Sequence, residues 1–252
     1  MKHVIDLNCD LGETHPSLLS NYDADIMPYL SSCNIACGFH AGSEDQIRKT
    51  LDLAISNQVA IGAHPSYDDW ENFGRVSINV PIAKLQQQII EQVELVKSIA
   101  ESKGGRLHHV KPHGALYHDM AKNKQFAYEL LEVIKRIDPT LIIYGLSGSE
   151  MIIAAKELEL SYFQEGFADR AYDQATQLRS RNLDHAVLTL ESDVIDQVNL
   201  LLSQKVKLKN GSQVPISVDT ICLHSDTEGA TQLAKWIHQL ITTKANVDLY
   251  HS

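Results

Sequence analysis

The sequence predicts an α/β fold made of one domain over residues 1–252, an irregular βα barrel of seven or eight strands with a small inserted hairpin. Three observations lead there. Short apolar runs alternate with longer stretches of helical periodicity, which is the pattern of repeated βα units on a mainly parallel sheet. A length of 252 residues suits a closed α/β barrel with one large core. No internal repeat, Ser/Gly linker or low-complexity tract marks a domain boundary.

Taken in order, eight runs read as strands, near 3–8, 32–37, 59–63, 107–111, 141–146, 161–165, 186–190 and 218–223. Between the second and third, Ser43 precedes Gln46 by three residues, a capping box that opens a helix through Ile47, Leu51 and Ala54. The clearest helix starts at Pro81 and repeats Ile82, Leu85, Ile89, Val93, Val96 and Ala100 on one face, until Gly104 and Gly105 stop it. Further helices are expected near 122–137, 149–159 and 191–204, and a last one from about Asp226 that buries Ala230, Leu233, Ala234, Ile237 and Ile241. Residues 205–216 alternate apolar and basic side chains around Asn210-Gly211, which predicts a small, peripheral hairpin.

Composition narrows the function. With 44 % apolar and 21 % charged residues the chain is that of an ordinary globular protein. A net charge of −10 argues against nucleic acid and anionic membrane surfaces, so an acidic substrate needs local Lys or Arg. Cys9, Cys33, Cys37 and Cys222 form no CxxC pair and read as reduced, buried thiols. The amino terminus meets Asp6 too early for a signal peptide, and the cytoplasm is the expected location.

Four histidines share one position. His40, His64, His113 and His224 each lie just past a predicted strand, and in parallel α/β folds those strand ends converge on the face where catalytic residues gather. Glycine or proline flanks the first three, in Gly38-Phe39-His40-Ala41-Gly42, Gly62-Ala63-His64-Pro65 and Lys111-Pro112-His113-Gly114, as close backbone approach to a ligand demands. His3, His15, His108, His109, His118, His185, His238 and His251 lack that placement and read as surface or core residues. On the first strand, alternation sends Asp6, Asn8 and Asp10 to one side, ahead of Glu13. A second polar cluster, Glu165 with Asp169 and Arg170, closes the sixth strand.

Seven ordered segments carry a resemblance: Asp6–Glu13, Asn34–Gly42, Gly62–Tyr67, Phe73–Arg75, Val110–Tyr117, Phe167–Tyr172 and Asp219–Cys222. Together the chain resembles, over nearly its whole length, the LamB/YcsF family of bacterial 5-oxoprolinase A subunits. It departs from that pattern at Ser43, Asp68, Val76 and Ser225. The resemblance implies a seven-stranded βα barrel that takes part in the ATP-dependent opening of 5-oxoproline to glutamate, with B and C subunits as partners. ATP is then a cosubstrate of the complex, consistent with the lack of a Walker A loop.

Opening a lactam calls for a base, an acid and a group to hold the oxyanion. Asp10 or a neighbouring histidine is expected to activate water, His113 or His64 to protonate the nitrogen, and Lys111 to offset charge on the carbonyl oxygen. His40 completes the catalytic set. Asn8, Glu13, Arg75, Glu165, Asp169, Arg170 and His224 are expected to bind the small acidic lactam, with Arg75 or Arg170 clamping its carboxylate. No metal is expected. The rival enzyme reading is a divalent-metal amide hydrolase using Asp10, His40 and His64, and a non-catalytic acid-binding subunit is the third. Self-association into a homo-oligomer is left open.

Overall fold

The computed structural model describes residues 3–18, 22–227 and 229–251, so Glu228, inside the last predicted helix, lies outside the described residues. In chain order the elements are β1 (His3–Leu11), α1 (Asp23–Ile26), β2 (Ser32–Ala36), α2 (Glu44–Ser56), β3 (Ala60–His64), α3 (Ile82–Ser102), β4 (Leu107–Val110), α4 (Gly114–Lys122), α5 (Lys124–Ile137), β5 (Ile142–Leu146), α6 (Glu150–Glu157) and β6 (Tyr162–Phe167). They continue as β7 (Tyr172–Gln174), β8 (Gln177–Leu178), α7 (Glu191–Leu202), β9 (Lys205–Lys207), β10 (Gln213–Pro215), β11 (Thr220–His224), α8 (Ala230–Thr243) and β12 (Val247–Leu249).

Strands β1 to β6 and β11 form a closed barrel in which every pairing is parallel, sealed where Asp6 to Asp10 of β1 run beside Thr220 to His224 of β11. On β1, Ile5, Leu7, Cys9 and Leu11 face out into the apolar layer under the helices. Asp6, Asn8 and Asp10 face in, as alternation requires. The capping box at Ser43 is present: its side chain accepts from the Gln46 amide. The α3 face buries Leu85, Ile89, Val93, Val96 and Ala100 as its spacing predicts.

The run at 186–190 is not a strand. β6 pairs directly with β11, matching Glu165 to Thr220, and leaves no slot for an eighth stave. Val187 makes only an isolated bridge to Arg170, and Leu190 is 65 % exposed. Residues 168–190 form an excursion over the barrel mouth that includes the hairpin β7–β8. The last helix starts at Ala230 rather than Asp226, because Asp226 and Thr227 turn back to bond Arg75 and Asp169. Periodicity does not reveal α1, the β7–β8 hairpin, α4, cut off from α5 where Asn123 caps the next helix, or β12, which pairs with the opening residues of β1. The 205–216 hairpin forms with Val206 buried against the core. All four cysteines are buried and free. Among the described residues no helix is long and apolar enough to cross a membrane.

Deep in the barrel, Asp6 accepts a hydrogen bond from Ser32 Oγ at 2.8 Å. Burial pushes its carboxyl from 3.8 up to about 6, against hydrogen bonds from Thr220 and Ser32 that favour the charged form. The folded state therefore holds this proton more tightly than the unfolded chain does. Its contribution to stability is full below about pH 4 and is lost as pH rises through about 6. We expect wild type to lose roughly 2 kcal/mol relative to Asp6→Asn between pH 4 and pH 7 in urea unfolding. A difference that stays flat with pH would remove this role.

Candidate active site

The barrel interior is polar in layers. In the middle layer Asn34 Nδ2 donates to Asn8 Oδ1 and Asp10 Oδ1, both at 2.8 Å, and His109 Nε2 donates to Asn34 Oδ1 at 2.8 Å. His109 is fully buried and stacks on Tyr144. It occupies the space a side chain at position 62 would need, since a Cβ there would lie 2.1 Å from His109 Nε2. Gly62 thus makes room for an imidazole inside the barrel, not for a ligand.

Above this layer sits Lys111, 2 % exposed. Its ammonium lies 3.0 Å from Asp10 Oδ1, 2.9 Å from Glu165 Oε1, 3.2 Å from Asn8 Oδ1 and 3.1 Å from Cys222 Sγ. Burial opposes its charge, but Asp10 and the other anionic neighbours override this and hold the group well above its ordinary pKa. Three N–H donors already face four acceptors, so Lys111 is the counter-ion of the buried carboxylates; reaching a substrate oxygen would require giving up one of them. Glu165 is further tied to Tyr117, whose hydroxyl donates to Oε2 at 2.7 Å. Asp10 stays ionised, burial being outweighed by His64 and Lys111.

Three of the four strand-end histidines meet. His40 and His113 stack with centroids 3.8 Å apart, and His64 stands across both at 83° and 82°. Glu13 Oε1 lies 3.1 Å from His40 Nε2, 3.3 Å from His113 Nδ1 and 3.9 Å from His64 Nε2. Gly74, with φ +62°, closes over them, where a Cβ would lie 2.9 Å from both His113 and His40. Burial and the neighbouring rings depress the pKa of His40 and His113 well below the usual imidazole range. Burial, then the charge of Asp10, raises Glu13 to about 7.

His224 stands apart from this cluster and has its own partner. Its Nδ1 is 2.9 and 3.0 Å from the two oxygens of Asp169, which also accept from the His224 amide at 3.2 Å and Thr227 Oγ1 at 2.6 Å. Burial opposes ionisation of Asp169, yet His224 and Thr227 hold its carboxyl at about 2. With Nδ1 bound to a carboxylate, Nε2 of His224 is the nitrogen left for chemistry.

These groups line one cavity of about 750 Å³. Asp10, Glu13, His64, Lys111, His113 and His224 contribute to it, and Arg75, Arg170, Arg179 and Arg181 supply positive charge. His40 lies behind it. Arg170 is 3 % exposed and commits Nη2 and Nε to the carbonyls of Arg179 and Ala186, at 2.6 and 3.3 Å, tying down the 168–190 excursion. Asn8, Glu165 and Asp169 sit beneath the lining. Arg75 and Arg181 both reach Asp226, at 2.6 and 3.4 Å, and remain partly exposed. Sequence reasoning missed Arg181, Tyr117 and His118, because nothing local distinguishes them; the irregular 168–190 segment, where no strand or helix absorbs the arginines, was the available sign. His118 lines the cavity, and burial lowers its imidazole to about 4.

The profile of the LamB/YcsF family matches residues 5–250. A curated protein from Bacillus cereus (strain AH187), named as the A subunit of 5-oxoprolinase, is 42 % identical over 237 residues, covering 93 % of this chain and 94 % of its own. The protein of the same name from Bacillus thuringiensis subsp. konkukian (strain 97-27) is 41 % identical over the same shares. Among solved structures, the lactam utilization protein from Thermus thermophilus superposes with a TM-score of 0.90 at 30 % identity, covering 99 % of this chain and 100 % of its own.

Proposed function

The chain belongs to the LamB/YcsF family, and from that premise we propose that it is the A subunit of an ATP-dependent 5-oxoprolinase, opening the lactam of 5-oxoproline by hydrolysis to glutamate. The relatives' shared name supports a place in such a complex, in which B and C subunits couple the reaction to ATP in the cytoplasm. The observation that carries the chemistry is the Asp169–His224 pair at the cavity wall.

Asp169 holds Nδ1 as the donor, which leaves Nε2 basic, the arrangement of a general base. Nε2 takes the proton of a water whose oxygen bonds to the lactam carbonyl carbon. The same proton then passes to the ring nitrogen as the C–N bond breaks, so one imidazole serves as base and then as acid. This assigns His224 the roles expected of Asp10, His64 or His113. The buried Lys111 offsets part of the carboxylate charge of the floor beneath an anionic substrate, and the rim arginines bind its carboxylate.

Because Arg170 is bound to backbone carbonyls, the carboxylate clamp falls to Arg75 and Arg181. Arg181→Ala is expected to raise KM for 5-oxoproline about tenfold with kcat within a factor of about two, since binding that is equal in ground and transition states affects KM alone. Steady-state kinetics of the reconstituted three-subunit enzyme measure this, and an unchanged KM would remove Arg181 from the clamp. The same assay tests the whole proposal: no ATP-dependent release of glutamate with both partner subunits present would overturn it.

A further inference from the structure

Two of the cavity histidines have their tautomers fixed by the backbone. His64 Nδ1 donates to the Lys111 carbonyl at 2.6 Å, and His113 Nε2 donates to the Phe73 carbonyl at 2.9 Å. A carbonyl can only accept, so each proton points away from the cavity. The nitrogens left bare, His64 Nε2 and His113 Nδ1, face each other at 3.0 Å. Glu13 Oε1 adds a third acceptor, 3.3 Å from the His113 nitrogen and 3.9 Å from that of His64, and Asp10 Oδ2 a fourth, 3.3 Å from His64 Nε2. Lone pairs gathered this closely, in side chains at most 8 % exposed, call for a metal ion or a proton among them.

We propose that Glu13, His64 and His113 bind a divalent transition-metal ion of the Zn²⁺ class. Two imidazoles and a carboxylate form a recognised ligand set for such ions, with open positions for water or substrate. The separations bracket the edge of about 3.3 Å expected between ligands of a tetrahedral ion with bonds of roughly 2.0–2.1 Å. The two rings stand at 82°, so each can direct its lone pair in plane at one point. All three residues line the cavity, which leaves the ion's remaining positions open to a small molecule.

His40 is not a ligand in this assignment. It stacks parallel to His113 at 3.8 Å, and one ion cannot lie in the plane of both rings. Its Nε2 lies 3.1 Å from Glu13 Oε1 and its Nδ1 2.9 Å from Ser66 Oγ, whose hydroxyl donates to the Tyr67 carbonyl, so His40 backs the carboxylate from outside the cavity. The other cluster of this kind, Asp10 with Cys222 and His224, already contains a cation: Lys111 Nζ bonds both Asp10 and Cys222. The set therefore differs from the Asp10, His40 and His64 combination that sequence spacing suggests.

The inference does not depend on the lactam reaction, and its test reads metal directly. Protein purified without chelator is assayed for metal by mass spectrometry, then stripped and titrated with Co²⁺, whose visible d–d bands report coordination. We expect about one equivalent of metal per chain and a saturable Co²⁺ spectrum in wild type. His64→Ala should lose the spectrum, and Glu13→Gln, which keeps shape and hydrogen bonding, should bind Co²⁺ more than about 100-fold more weakly. His40→Ala should retain the bands with reduced affinity, and circular dichroism confirms that each variant is folded. Wild type without stoichiometric metal or Co²⁺ bands would overturn the proposal in favour of a shared proton. A spectrum unchanged in folded His64→Ala and Glu13→Gln would overturn the ligand assignment.

Discussion

Asp169→Asn is expected to lower kcat by about 10³-fold or more while KM stays within a few-fold of wild type. The carboxylate accepts from His224 Nδ1 and so fixes the proton on that nitrogen. An amide can present its NH₂ to Nδ1 instead, which moves the ring proton to Nε2 and removes the base. Thr227 and the His224 amide still have an oxygen to bond, so the loop keeps its place. Substrate contacts at the arginines are untouched, which is why kcat and KM should separate. Turnover within tenfold of wild type in the reconstituted enzyme would exclude the pair as the base.

The largest effect on stability is expected from the smallest substitution, Gly62→Ala, which should cost about 3 kcal/mol or more in chemical denaturation. The added methyl would lie 2.1 Å from His109 Nε2 and 2.4 Å from its Cδ2 and Cε1. The ring cannot retreat, because Tyr144 stacks on it at 3.9 Å and Asn34 takes its hydrogen bond. Either β3 shifts or the imidazole leaves, and the second breaks a chain of buried hydrogen bonds through Asn34 to Asp10. Combining Gly62→Ala with His109→Ala should recover much of the loss, since the clash then has only one partner. Full additivity of the two single losses would refute this account.

The barrel was legible because its strands and helices obey different periods, and β1 announced its inner face through Asp6, Asn8 and Asp10. The 186–190 run misled for a physical reason. Apolar character identifies a strand only when a sheet edge is available, and β6 had already paired with β11. Asp226 and Thr227 obeyed the site rather than the helix whose periodicity begins near them. Strand-end position located His40, His64, His113 and His224 but could not rank them, because their partners, Glu13 for His40 and His113, Asp10 for His64 and Asp169 for His224, come from elsewhere in the chain. Arg75 and Arg170 look alike in sequence. Only the carbonyls around Arg170 distinguish a loop anchor from a guanidinium at the rim.

The polar filling of the barrel also bears on how the chain reaches its fold. Asn8, Asn34, His109, Lys111 and Glu165 come from β1, β2, the β4 region and β6, and each completes hydrogen bonds of the others. A partly closed barrel leaves an ammonium or a carboxylate stranded without its counterpart, which is costlier than an exposed leucine. Half-barrel fragments should therefore have no stable existence of their own, and closure should be all-or-none. An interior of mutually paired charges and amides is, for the folding chain, a lock that engages only when the last strand arrives.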